Sequence, residues 1–225
     1  MRLLTVQNAK TVKGEKKGYL TGILYLAPAM TSGTNMCPKS TAGCEDSCLF
    51  TAGRGRFPMV MRARIAKTKK LQRTPIAFQK QLHKDVASLV KAAARKGFTP
   101  AVRLNGTSDQ PKLALQLAAK FPAVQFYDYT KLPKPWLRVR PNYHLTFSRS
   151  ECNTTECIEA LQHGINVAVV FKVKKDAPLP QKWNGYNVVD GDETDLRFLD
   201  PQGVVVGLRA KGRAKLDNTG FVILQ

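Results

Sequence analysis

Three cysteines stand close together in a polar stretch. Cys37, Cys44 and Cys48 lie in Cys37-Pro38-Lys39-Ser40-Thr41-Ala42-Gly43-Cys44-Glu45-Asp46-Ser47-Cys48, a C-x6-C-x3-C spacing. Thiolates are soft ligands, and three on one short loop are the chemistry of a metal centre. Gly33, Pro38 and Gly43 let the loop turn tightly enough to converge them, and Lys39 with the nearby arginines favours the thiolate form. An inert buried cysteine usually sits among apolar neighbours, whereas these sit among Pro, Lys, Gly, Glu and Asp. The set suits a [4Fe–4S] cluster, which takes cysteine at its irons and can leave one iron open to a further ligand. Zinc is the alternative, but a closed zinc site wants four ligands. The fourth would come from Cys152, Cys157, His83, His144 or His163, and no CxxC pair is present. Cys152 precedes a helical pattern and Cys157 lies within it, so both read as core or bystander residues. The cysteine total of five is odd, which argues against a disulfide framework.

The elements that must carry this loop are legible from periodicity. Tyr19 to Ala27 reads as a buried strand ending at Pro28, directly before the cysteines. Pro58 to Arg73 can form a basic helix. Thr74-Pro75 opens a clearer one, with Thr as N-cap and Pro at the first helical position. Its apolar face is Phe78, Leu82, Val86, Leu89, Val90 and Ala93, and Gly97 supplies a left-handed stop. Strands then alternate with helices. Ala101–Leu104, Val124–Tyr129, Tyr143–Phe147, Asn166–Val173, Tyr186–Val189 and Val204–Leu208 read as strands, with Phe221–Leu224 as a further candidate. Pro111–Phe121 and Thr154–His163 read as helices. Such alternation implies right-handed crossovers and a mostly parallel sheet. A complete eightfold barrel needs about 250 residues, and the later connections are short. The expectation is therefore a single α/β domain over residues 1–225, a partial or degenerate (βα) barrel with mostly parallel strands. Its basic helical segment, about 54–97, is inserted after the cysteine loop.

That fold gathers the C-terminal ends of its strands at one mouth. The polar residues there are Asn105, Thr107, Ser108 and Asp109, then Asp128, then Ser148, Arg149 and Glu151, then Asp190 and Asp192. Singly each is an ordinary loop residue. Their recurrence at successive strand ends makes them candidate cofactor-binding groups. Thr51-Ala52-Gly53-Arg54-Gly55-Arg56 could hold phosphate but lacks the Gly-Lys-Ser/Thr of a triphosphate loop. Asp190 to Asp195 is acidic but lacks a calcium-loop pattern and reads as a turn. Tyr127, Tyr129 and Trp136 near Lys131 and Lys134 could stack bases, although aromatics at strand ends are commonly core.

Charge narrows the partner class. The chain has 225 residues with 36 Lys/Arg against 16 Asp/Glu, a net charge of +20. Residues 1–100 hold 19 basic and 4 acidic residues, and residues 101–225 hold 17 and 12. Arg54, Arg56, Arg62, Arg64, Lys67, Lys69, Lys70 and Arg73 crowd into 20 positions. A face so one-sided attracts polyanions, so these eight are candidate nucleic-acid contacts, with a host protein as the other partner class. With 43% hydrophobic residues a real core forms, and no apolar run is long enough for a membrane span. Met1 to Val6 is too short and too soon charged for a signal peptide, so an intracellular setting is expected.

Two resemblances attach to these residues. A three-cysteine loop directly after the first strand of a partial barrel resembles the radical S-adenosylmethionine enzymes. In those, three cysteines hold a [4Fe–4S] cluster and the fourth iron binds the methionine moiety of the cofactor. The usual spacing there is C-x3-C-x2-C with an aromatic before the last cysteine, whereas Ser47 stands before Cys48 here. More closely, Tyr-Leu-Thr-Gly-Ile-Leu-Tyr-Leu-Ala-Pro from Tyr19, the Cys-Pro…Cys…Cys loop and Thr-Ala-Gly-Arg-Gly from Thr51 resemble uncharacterised bacteriophage proteins of the gene-product-88 family. Arg103 to Asp109 and Asp190 to Arg197 are similar to the same group, which implies a phage origin and the host cytoplasm as its setting. The combined expectation is a phage iron–sulfur protein, radical-enzyme-like with S-adenosylmethionine as cofactor, acting on or binding nucleic acid. Its alternative is a non-catalytic module, stabilised by a cluster or by zinc, that binds nucleic acid or a host protein.

Overall fold

The computed structural model describes residues 2–224. In chain order the elements are β1 (Leu4–Thr5), α1 (Ala9–Glu15), β2 (Tyr19–Leu24), α2 (Ala42–Asp46), α3 (Pro58–Arg73), α4 (Pro75–Lys96), β3 (Thr99–Arg103), α5 (Pro111–Lys120), β4 (Gln125–Thr130), β5 (Tyr143–Ser148), α6 (Thr154–Gln162), β6 (Val167–Phe171), β7 (Lys182–Trp183), β8 (Tyr186–Asp190) and β9 (Val205–Arg209). The strands form one sheet in the order β1-β2-β3-β4-β5-β6-β9-β8-β7. The seven strands from β2 to β8 in that order run parallel, and β1 and β7 are antiparallel edges.

The mostly parallel α/β architecture agrees with the sequence reading. The sheet ends at β1 and β7 with no pairing between them, so the strand order shows an open sheet and no closed barrel. Phe221–Leu224 forms no full strand, and Ile223 makes only an isolated parallel bridge to Phe171. Thr74 caps nothing with its side chain, because its hydroxyl donates to the Lys70 carbonyl at 3.1 Å. Pro75 does open α4, and Gly97 closes it with a φ of 70°.

Alternation along the strands gives the sheet two distinct faces. On one face Leu20, Leu24, Val102, Leu104, Phe126 and Leu145 pack under α4 and α5 in the largest core cluster. Phe147, Val167, Val169 and Phe171 continue that face under α6. On the other face Ala101 and Tyr127 pack with Leu196 from the 194–199 turn, and Tyr19 and Phe198 join them. Gly14 of α1 lies against this second face, where a Cβ would stand 2.9 Å from the Thr21 hydroxyl. The register sets Arg103 beside Ile23, Tyr127 beside His144, Tyr129 beside Thr146, and Val170 beside Leu208. This face therefore turns polar toward the C-terminal strand ends, where the cysteine loop lies.

Candidate functional site at the C-terminal edge of the sheet

A cavity of about 400 Å³ opens on the second face at the C-terminal strand ends. Cys44, Ser47 and Cys48 form one wall, Arg103, Tyr129 and Lys131 a second, and Ser148, Arg149 and Phe221 a third. Lys10 and Lys13 of α1 also line it.

The cysteines reach this rim because Leu26 to Met36 folds back after β2, with the Met36 N–H donating to the Ala29 carbonyl at 3.1 Å. Cys37 Sγ accepts from the Ala29 N–H at 3.4 Å and lies 3.8 Å from the Thr107 carbonyl. Cys44 sits in α2, whose N-cap Thr41 accepts from the Cys44 N–H. Glu151 clamps that helix, accepting from the Thr41 hydroxyl at 2.7 Å and the Gly43 N–H at 2.9 Å. Burial pushes the Glu151 carboxyl up, but these donors outweigh it and hold the group below its usual range. Gly43 has no room for a side chain, since a Cβ there would lie 2.2 Å from Thr219 Oγ1. The three thiols are half-buried and reduced. Burial pushes Cys37 up to about 11, and the neighbouring Cys48 and Cys44 add to the rise. Burial likewise raises Cys48, again with Cys44 contributing. Cys44 and Cys48 line the cavity, and Cys37 lies close enough for their charges to bear on its thiol.

As placed, no three His, Cys, Asp or Glu side chains among the described residues are arranged to hold a metal ion. The donor chemistry nevertheless fits a cluster better than a closed zinc site. Cys44 and Cys48 line the cavity with Cys37 near them, and three of the five fourth-ligand candidates are engaged elsewhere. His83 packs edge-on against Phe121, His163 stacks on Trp136 at 4.0 Å, and Cys157 is buried in α6 with its sulfur 3.5 Å from Asn153 Oδ1. Cys152 is exposed beside Ser150.

The structure divides the other sequence candidates. Thr107, Ser148 and Arg149 reach the cavity wall. Asn105, Ser108, Asp109 and Asp128 instead brace the loop after β3. Asp128 accepts from the Asn105 N–H, the Asn105 amide and the Tyr143 hydroxyl at 2.6, 3.0 and 3.2 Å. Ser108 donates to Asn105 Oδ1, and Asp109 accepts from Thr130 and from the Lys131 N–H. Glu151 serves the α2 clamp, and Asp190 pairs with Arg209 at 2.8 Å. Among the basic candidates, Arg54, Arg56, Arg62, Lys69 and Arg73 are exposed and Lys67 and Lys70 half-exposed. Arg64 is an exception: it is buried, with its guanidinium 5.0 Å from the Tyr25 ring. Of the stacking candidates, Tyr127 is buried with its hydroxyl 3.3 Å from Asp195, and only Tyr129 reaches the cavity.

The sequence reading missed the cavity's main charged group. Arg103 Nη1 meets both oxygens of Asp195 at 2.9 Å, and Lys10 Nζ meets the same carboxylate at 2.9 Å. The Arg103 guanidinium also lies 4.5 Å over the Tyr129 ring. A signal existed: an arginine within an otherwise apolar buried strand needs a carboxylate partner. Lys10 lies in α1, which Asn8 opens by accepting from the Lys10 and Thr11 N–H groups.

No curated protein and no solved structure matches the chain. The Gene product 88 family model matches residues 2–225. That match covers the cysteine loop, the sheet and the cavity walls together, and it lends no support to the radical S-adenosylmethionine resemblance. The chain belongs to the gene product 88 family, in agreement with the phage relation read from its cysteine loop.

Proposed function

We propose that this protein is an iron–sulfur protein in which Cys37, Cys44 and Cys48 hold a [4Fe–4S] cluster at the cavity rim. The observation that carries the reading is three half-buried, unpaired cysteines on one short segment, two of which, Cys44 and Cys48, line a cavity that also holds Arg103, Lys131 and Arg149. Such a cluster supplies electron transfer, and with three protein thiolates it has one iron free to take a ligand. Toward such a ligand, Arg149, Lys131 and Arg103 offer positive charge and Tyr129 and Phe221 offer apolar faces. S-adenosylmethionine is one candidate, because its carboxylate and adenine ask for both. On this reading the sheet is a flattened relative of a partial barrel, with its site at the expected strand ends. Lys131 lies near Cys48, and its positive charge would offset part of the thiolates' negative charge. The exposed face of α3 would recruit nucleic acid.

Metal analysis of anaerobically purified, full-length protein tests this. The expected result is about four irons and four sulfides per chain, with a broad visible absorption. The Cys37→Ala/Cys44→Ala/Cys48→Ala variant should lose both. A colourless protein with stoichiometric zinc, or iron retained by the triple variant, overturns the assignment. Addition of S-adenosylmethionine with a reductant then separates catalysis from a module role, by whether 5′-deoxyadenosine forms.

A further inference from the structure

A second basic surface lies away from α3, where the sequence showed no comparable charge run. A groove of about 780 Å³ lies at the C-terminal ends of β6, β8 and β9. Its cations come from three separate segments: Lys13 of α1, Lys172, Lys174 and Lys175 after β6, and Lys211 and Lys215 after β9. Its acids are Asp190, Asp192 and Glu193. Asp190 and Asp192 are already used by Arg209 at 2.8 and 3.3 Å, and Lys211 takes Asp192 at 2.5 Å. Lys13 donates to the Asp192 carbonyl. Lys172, Lys174, Lys175 and Lys215 are exposed and make no ion pair among the described residues. Four unpaired ammonium groups against a single unpaired carboxylate, Glu193, leave the groove with a net positive charge that attracts anions.

The groove is continuous with the cysteine cavity. Lys13, Asp192, Arg209 and Lys211 line both. A polyanion lying along the lysines is therefore led to the cavity mouth. The cavity, at about 400 Å³, has the size of a site for one small-molecule unit. Its lining includes the half-buried Tyr129 ring, with the Arg103 guanidinium 4.5 Å from its centre, and the edge of the buried Phe221, with Lys131 Nζ 5.5 Å away. A base in a duplex reaches such a cavity only by leaving the stack, whereas an unpaired base enters freely. Backbone-tracking cations leading to an aromatic-walled recess are the working parts of a single-strand site.

We propose that this groove is a track for single-stranded nucleic acid, which it holds by its phosphates while one nucleotide enters the cavity. The inference deepens the nucleic-acid side of the preceding proposal and assigns it to a surface other than α3. It does not depend on the cluster.

Fluorescence anisotropy with fluorescein-labelled DNA and RNA strands of about 16 nucleotides, and with a hairpin duplex, tests it on the full-length protein. The groove variant is Lys172→Gln/Lys174→Gln/Lys175→Gln, and the comparison variant on α3 is Arg62→Gln/Lys69→Gln/Arg73→Gln. All six positions are exposed, and unchanged thermal midpoints establish that both variants fold. The groove variant should weaken single-strand binding at least about tenfold and reduce the slope of log affinity against log salt by about 2, near 0.7 per lost phosphate contact. The α3 variant should change affinity less than the groove variant does. Groove-variant affinity within about twofold of the parent overturns the proposal, as does duplex binding as tight as single-strand binding. The DNA and RNA arms identify the nucleic acid. Repeating the titration on the triple-cysteine variant separates the two proposals: groove-dependent binding that survives there shows that the track does not need the cluster, and a parent protein that binds through the groove but holds no iron leaves the track standing while the cluster reading falls.

Discussion

Arg103 and Asp195 face each other across the second face of the sheet, 92 residues apart in the chain. Burial alone would raise the Asp195 carboxyl, but the charges of Arg103 and Lys10 overcome it and hold the group well below the usual carboxylate range. Removing one partner of a buried pair leaves an uncompensated charge at a cost of about 3–5 kcal/mol. Asp195→Asn should lower stability by that order at pH 7. The sign of the pH dependence follows from the depressed value: the stabilisation is complete above the unfolded carboxylate pKa near 3.9 and fades as pH falls below it. Acid titrations followed by circular dichroism should show a steep loss below about pH 4 in the parent and a shallower one in Asp195→Asn. Asp128 behaves oppositely, because burial raises it to about 7 despite three donors. Its ionisation therefore opposes folding, and its contribution to stability declines as pH rises from about 4 to 7.

At the scale of elements, α2 has only five residues and depends on its clamp. Glu151→Ala removes a carboxylate accepting two hydrogen bonds, worth about 1.5–3 kcal/mol for a charged acceptor, toward the lower end at this partly exposed site. The cysteine loop should loosen, and on the cluster proposal the variant should retain less iron than the parent after gel filtration while its circular dichroism is unchanged. His144 in β5 gives a second test. Its Nε2 is buried without a partner, and burial beside Arg197 lowers its pKa to about 4. Between about pH 6.5 and 4 the unfolded chain takes a proton that the native state refuses, so stability falls with pH across that window. His144→Leu should flatten that slope in thermal melts. The same elements show what the sequence made legible. Because burial on one face sets the period, apolar periodicity located α4, α5, α6 and the parallel strands within a residue or two, except that β2 ends at Leu24, three residues before the expected Ala27. The two-residue strands β1 and β7 carry too few positions for any period. Arg64 fits the basic run by spacing, yet its neighbours in space, Tyr25 and Cys48, come from other elements. Of the strand-end polar residues, spacing marked Thr107, Ser148 and Arg149 together with Asp128 and Asn105, and only side-chain direction separates wall from brace.

For the whole molecule, the charge is distributed differently from its linear pattern. The run from Arg54 to Arg73 holds eight of the 19 basic residues in residues 1–100 and no acid, but the groove collects its lysines from residues 13, 172–175 and 211–215. These segments are diluted in the sequence by the acids of the second half. Two basic surfaces predict a steep salt dependence for a nucleic-acid complex, with single-strand affinity falling roughly 300-fold between 50 and 200 mM salt if six phosphates are contacted. A salt-insensitive complex would mean that neither surface makes the contact.

The seat of α2 has a consequence for the order of events as the chain is made. The strands from β2 to β6 are neighbours in both sequence and sheet, so they can pair one after another as they emerge from the ribosome. The cysteine segment emerges early, but Glu151, Thr219 and Phe221, against which Gly43 packs, emerge more than a hundred residues later. Until those residues emerge the three thiols have no seat. Assembly of their site is therefore late in the order of folding, and a chain stalled before residue 217 would carry its thiols without the wall that encloses them.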